Sequence, residues 1–273
     1  MPAIKVNGLE IAYLDEGFGD VVVMVHGFGG HKNVWDLQLP VLTPNYRVIA
    51  IDMRGHGDSA KPEGDEHYSP ALVASDVLAM MNELGFDSVH FVGLSMGTLV
   101  GQFLYHLAPE RVRSLTLVGA LAGFPAKGPL KGFPPDKAGD APNMAIGEEI
   151  ATLGMKAFLD QYAKYWFSPS YDPALVRKYT AESYKIAVHS AVAYSRASFG
   201  VDIRDRLRDI HVPTAIIDGE EDGRTPVEEG EYMNRHIPNC SLKVIKGAGH
   251  MCNVEKPEEF NRAILGFLAT IPV

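Results

Sequence analysis

The sequence predicts an α/β protein, with a mostly parallel central sheet, helices on both faces and a helical segment inserted after the middle strands. Three observations carry this. Short runs of aliphatic and β-branched residues alternate along the chain with segments of helical spacing. The runs are continuously apolar, as strands buried on both faces are. Between about residues 121 and 200 the alternation stops, and helical patterns follow one another with no strand among them.

Taken in order, residues 4–13 read as two short strands around Asn7-Gly8, a dipeptide suited to a tight hairpin turn. Residues 21–25 are the first continuous apolar strand and residues 46–51 the second. A helix over about 69–84 opens at Ser69-Pro70, an N-cap followed by proline at the first helical position. Residues 89–92 are the third strand; the helix after it, over 96–107, stops before Pro109. Residues 115–118 form the fourth. The stretch 123–142 is rich in Pro, Gly and Lys, has no clear period, and reads as a long loop or mobile lid. Helical patterns then cover about 145–165, 173–187 and 189–199, with aromatics concentrated among them, Phe158, Trp166, Phe167, Tyr179, Tyr194 and Phe199 included. Strands at 214–217 and 242–245 and helices at about 226–236 and 257–269 complete the pattern. The chain therefore divides into a core of residues 1–120 and 201–273 and an inserted helical cap of residues 121–200.

A length of 273 residues with 46% hydrophobic content supports a sizeable core. The net charge of −9 argues against a nucleic-acid surface. Two cysteines, Cys240 and Cys252, make no disulfide framework. Residues 1–5 carry no apolar signal core and no segment reaches the length of a membrane span, so a cytoplasmic protein is expected. Nothing in the sequence signals an oligomeric state.

The chemistry starts at Gly93-Leu94-Ser95-Met96-Gly97, a serine between two glycines where a strand runs into a helix. Such a turn forces the serine into a strained conformation that exposes its hydroxyl at a helix N-terminus. A serine hydroxyl is a weak nucleophile and needs a base within reach, for which histidine is suited. Of ten histidines, His250 lies in the glycine-rich stretch directly after the last strand, at the sheet edge where Ser95 also lies. His56, in Arg54-Gly55-His56-Gly57, instead reads as holding a tight turn, while His90 falls within a strand and His106 within a helix. The base needs an acidic partner. Asp218 and Asp222 both follow the fifth strand, and spacing does not choose between them. The oxyanion of acyl transfer needs preorganised donors: the Met96 amide at the helix start, and the Phe28 amide in His26-Gly27-Phe28-Gly29-Gly30 after the first parallel strand.

Together these motifs resemble the α/β-hydrolase superfamily over essentially the whole chain. The shared residues are those at 26–30, Asp52-Met53-Arg54-Gly55-His56-Gly57-Asp58-Ser59, the Ser95 turn, the Asp222 loop and Gly249-His250, in the family's order of nucleophile, acid and base. The resemblance implies Asp222 as the acid, because the family's Gly-x-x-Asp-x-x-x-Pro pattern falls on Gly219, Asp222 and Pro226. It also supports the helical cap. A serine at the nucleophile position disfavours the epoxide hydrolases and haloalkane dehalogenases. Val34-Trp35 and the stretch from His250 to Phe260 are similar to 3-oxoadipate enol-lactonases and related carboxylesterases, and Thr98 departs from a common glycine.

The function implied is a serine hydrolase acting on a small, largely apolar ester or lactone through Ser95, His250 and Asp222, with no metal or organic cofactor and no membrane or nucleic-acid partner. Trp35 and Trp166 are the candidate substrate-contacting residues, and Lys127, Lys164 and Arg196 the candidate ligands of a substrate carboxylate, with solvated surface charge as their alternative fate. Carbon–carbon bond hydrolases and haloperoxidase-like perhydrolases share most of these features. A non-catalytic ligand-binding or signalling protein on the same fold is the alternative from another class.

Overall fold

The computed structural model describes residues 2–123, 142–198 and 200–272, with residues 142–145 described by backbone alone. The segment read as a loop or lid falls almost wholly outside these residues, as do Lys127 and Phe199. The chain opens with β1 (Ala3–Val6) and β2 (Leu9–Gly17), an antiparallel hairpin. Its turn residues Asn7 and Gly8 both have positive φ, the geometry that matches strand twist. The core then runs β3 (Asp20–Val25), α1 (Leu39–Leu42), β4 (Tyr46–Ile51), α2 (Pro70–Glu83), β5 (Val89–Leu94), α3 (Met96–Leu107) and β6 (Val112–Val118). Between β6 and the next strand the chain carries α4 (Pro142–Tyr162), α5 (Pro173–Thr180) and α6 (Val188–Ser198). The core resumes with β7 (Thr214–Gly219), α7 (Val227–His236), β8 (Cys240–Ile245), α8 (Cys252–Glu255) and α9 (Pro257–Leu268).

The described strands form one sheet in the order β1-β2-β4-β3-β5-β6-β7-β8, parallel from β4 to β8. Side chains alternate across it. Val23, Val25 and Phe91 face a cluster completed by α2 and α3, whereas Val22, Met24 and Val92 face one completed by α9 and by Phe158, Leu159 and Tyr162 of α4. Both faces are therefore covered, which explains the unbroken apolar runs. From β3 the chain moves to β4 on one side, and β5 then returns to the other side of β3. The strand order thus reverses between β3 and β5, which opens a crevice at the C-terminal edge there.

This helical stretch differs from its sequence pattern in two places. The first predicted helix is interrupted at Gly154, whose φ of 76° and ψ of 158° lie outside helical values. The second stops at Thr180, and the chain tightens into a 3₁₀ turn over Ala181–Lys185. The Tyr179 carbonyl at that end lies 3.2 Å from His31 Nε2, an external partner for a group the helix end leaves open.

Candidate active site

Ser95 sits at the end of β5 with φ 54° and ψ −117°, the strained conformation its sequence context implies. Such a residue costs about 1–3 kcal/mol and persists only where its surroundings over-determine it. Here they do. A Cβ at Gly93 would strike the Gly97 carbonyl, and one at Gly97 would strike that of Val25, so strand, turn and helix pack too closely for side chains. Ser95 N–H donates to the Val118 carbonyl at 2.8 Å, and the Thr98 hydroxyl donates to the Ser95 carbonyl at 2.7 Å. Thr98, the departure from the family pattern, therefore braces the turn.

His250 follows β8 at the same edge. Its Nδ1–H donates to Asp222 Oδ2 at 2.8 Å. A carboxylate only accepts, so this bond places the imidazole proton on Nδ1 and leaves the Nε2 lone pair available. Asp222 has three further donors: the amides of Arg224 (2.7 Å) and Thr225 (2.9 Å) on Oδ1, and the Thr225 hydroxyl (2.8 Å) on Oδ2. Burial alone would raise its pKa, but His250 and the Thr225 donors outweigh that and hold the carboxyl below its ordinary value. Asp218 goes elsewhere. It is buried at the end of β7, where Oδ1 accepts from the Ala120 amide at 3.0 Å and Oδ2 has no partner among the described residues.

Burial pushes the Asp218 carboxyl up to about 8, against the Ala120 amide and with the Asp222 charge adding to the rise. The folded chain therefore keeps a proton that the unfolded chain loses near its ordinary 3.8. The stability this group contributes is fullest below that value and is lost as pH rises through about 8. Thermal melts between pH 5 and 9 should show Asp218→Asn losing less stability with rising pH than the native chain. Equal slopes would show that Asp218 is ionised throughout.

The loop after β3 is held by two buried histidines. His26 Nδ1–H donates to the Gly27 carbonyl (2.7 Å) and its Nε2 accepts from the Met53 amide (3.1 Å). His56 Nδ1–H donates to the Arg54 carbonyl (3.2 Å) and its Nε2 accepts from the Gly29 amide (3.1 Å). Burial drives His26 down to about 4 and His56 well below its ordinary value, so both serve as neutral struts. With the Gly27 carbonyl bound on one side of a trans peptide plane, the Phe28 amide points to the other. Neither the Phe28 amide nor that of Met96 has an acceptor among the described residues. Lys32, buried just beyond, completes the frame by donating to Asp52 (2.7 Å) and Asp58 (2.9 Å).

A cavity lined by Gly27, Phe28, Val34, Leu94, Ser95, Trp166, Phe167, Tyr179, Arg224, His250 and Met251 unites these parts. Trp166 lines this cavity. Trp35 does not: it is 0% exposed and packs near Phe260, with ring centroids 6.5 Å apart. Lys32–Trp35 is a 3₁₀ turn, which rotates successive side chains by about 120°, so Val34 faces the cavity and Trp35 the core. Arg196 pairs with Asp65 at 2.7 Å on the exposed surface, and Lys164 lies over the Tyr165 ring, outside this cavity. Sequence reasoning missed Gly119, Arg224 and Thr225, which meet His250, Asp222 or the cavity only through folding. Gly119 has φ 54°, and a Cβ there would lie 2.9 Å from His250 Nδ1 and Cε1.

The family described as alpha/beta hydrolase fold matches residues 20–257. The 3-oxoadipate enol-lactonase 2 of Acinetobacter baylyi is 30% identical over 250 residues, covering 89% of this chain and 86% of that protein. Among solved structures, the enol-lactonase from Burkholderia xenovorans aligns with a TM-score of 0.88 at 25% identity, over 98% of this chain and 100% of that one. A thermophilic esterase from Thermogutta terrifontis aligns with a TM-score of 0.86 at 25% identity, over 99% and 97% of the two chains.

Proposed function

The chain belongs to the alpha/beta hydrolase fold family, and on that premise we propose that it is a serine hydrolase cleaving a carboxylic ester or lactone of a small, largely apolar substrate. The observation that carries the reading is the Asp222–His250 pair, with Nε2 of the imidazole left available in the cavity that Ser95 lines. His250 takes the Ser95 proton as Oγ attacks the substrate carbonyl, and Asp222 stabilises the imidazolium that forms. The Phe28 and Met96 amides receive the oxyanion. His250 then gives its proton to the leaving oxygen, which leaves an acyl-enzyme on Ser95. Water attacks that ester in the same manner, and the acid departs with Ser95 restored. Residues 121–200 act as the cap, in which Trp166, Phe167 and Tyr179 supply an aromatic wall over the acyl group. The names of the enol-lactonase and esterase relatives support this bond class.

A hydrolysis panel tests the substrate class. p-Nitrophenyl acetate should give a burst of nitrophenolate followed by slower turnover, and small lactones should be opened. Exclusive turnover of vinylogous diketones would replace this reading with carbon–carbon bond hydrolysis. A related result is expected of Gly119→Ala. The added methyl displaces the His250 ring it would otherwise overlap, and kcat for the acetate falls by about 100-fold, as small misplacements of catalytic groups do. Wild-type turnover in that variant, measured at matched active-site titre, would show that the ring has room to shift without loss.

A further inference from the structure

We propose that Glu255 is a positioning residue that ties the loop bearing His250 to the Trp166–Phe167 wall, so that the base and the acyl-site wall are set as one unit; this rests on the serine-hydrolase reading. Glu255 ends α8, and each carboxylate oxygen takes a different main-chain donor. Oε1 accepts from the Gly249 amide at 2.9 Å, directly before His250. Oε2 accepts from the Ser168 amide at 2.9 Å, directly after Phe167. On the other side of His250, the Met251 amide donates to the Trp166 carbonyl, also at 2.9 Å. The histidine is thus flanked on both sides by bonds to the insertion, one direct and one through Glu255. Contact between the two segments is close: backbone atoms of Phe167 and Ser168 occupy the space a Gly249 side chain would need.

The bridge requires a carboxylate. Both donors are N–H groups, and only an ionised carboxylate presents an acceptor at each end with no donor of its own. A glutamine of the same shape supplies one acceptor and turns an NH2 group toward the remaining N–H. One of the two segments is then released, while the packing of α8 is kept. Trp166 and Phe167 line the cavity with His250 and Met251, so release on either side alters the distance between wall and base.

The test uses the full chain carrying Glu255→Gln, with rates normalised to titrated active sites. One readout is the rate at which a small fluorophosphonate labels Ser95, which reports the Ser95–His250 pair alone. The other is the ratio of kcat/KM for p-nitrophenyl octanoate and p-nitrophenyl acetate, which reports the wall. Labelling is expected to slow about tenfold, and the preference between the two esters to change by a similar factor through KM for the longer acyl chain. A variant that melts at a lower temperature but keeps both quantities overturns the proposal, since a structural role alone changes only the number of active molecules. Movement of one quantity without the other also overturns it. If the glutamine variant does not fold, Glu255→Asp keeps the charge, shortens the reach and should move both readouts in the same direction. Absence of labelling in the native chain would instead remove the serine-hydrolase reading, whereas brisk labelling of native and glutamine forms alike removes only the role of Glu255.

Discussion

Ser95→Ala is expected to lower kcat for p-nitrophenyl acetate by a factor of about 10⁵–10⁶, leaving only what binding and the oxyanion donors supply. The burst of nitrophenolate should vanish with it. The side chain stands in a cavity with His250, and no hydrogen bond of its hydroxyl supports the fold among the described residues. The substitution keeps the Cβ and the backbone bonds of Ser95 to Val118 and Thr98, so the melting temperature should change little. Loss of turnover without loss of folding is therefore the expected combination. Retained turnover at wild-type rates would remove Ser95 as the nucleophile, and with it the acyl-enzyme mechanism.

Asp222→Asn should lower kcat by about 10⁴, while Asp218→Asn stays within a few-fold of wild type. The asymmetry comes from what each carboxyl touches. Asp222 accepts the His250 Nδ1 proton, and an amide nitrogen at Oδ2 would turn a donor toward that proton and favour the wrong tautomer. Asp218 contacts the Ala120 amide instead and holds a proton near neutral pH, so asparagine reproduces much of its hydrogen-bonding character. Steady-state kinetics of the two variants, at pH 7.5 and equal active-site titre, decide the matter. The opposite ranking would place the acid at Asp218.

The fold was largely legible because its signals are local. Continuous apolar runs mark strands buried on both faces, and the structure has them at β3, β4, β5, β6 and β7. Ser69-Pro70 marked the start of α2, whose N-cap hydroxyl accepts from the Leu72 amide at 3.2 Å. Strand ends then located Ser95 and His250 on one edge of the sheet. Side-chain direction was less legible. Trp35 was placed against substrate, yet one step of a 3₁₀ turn sends it into the core and presents Val34 instead. The helical pattern over about 145–165 ran through Gly154 without a break, and its backbone breaks the helix there. Asp52 and Asp58 stood in a family motif, but the part of Lys32 in pairing with them had no sequence signal, because a lysine after a loop reads as solvated until its buried partners are known.

No helix among the described residues is long and apolar enough to cross a membrane. The sequence by itself determined the order of strands and helices, the strained turn at Ser95 and the edge on which serine and histidine meet. These follow from apolar periodicity, glycine placement and the rule that parallel strands end together. Residue spacing left Asp218 and Asp222 open, the family pattern favoured Asp222, and the fold brings Asp222 to His250. Only the tertiary structure decided that Gly119 leaves room for the ring and that Glu255 joins the His250 loop to the segment after Phe167. Each depends on how far a loop bends toward residues distant along the chain, a distance set by packing and hydrogen bonding and carried by no local pattern.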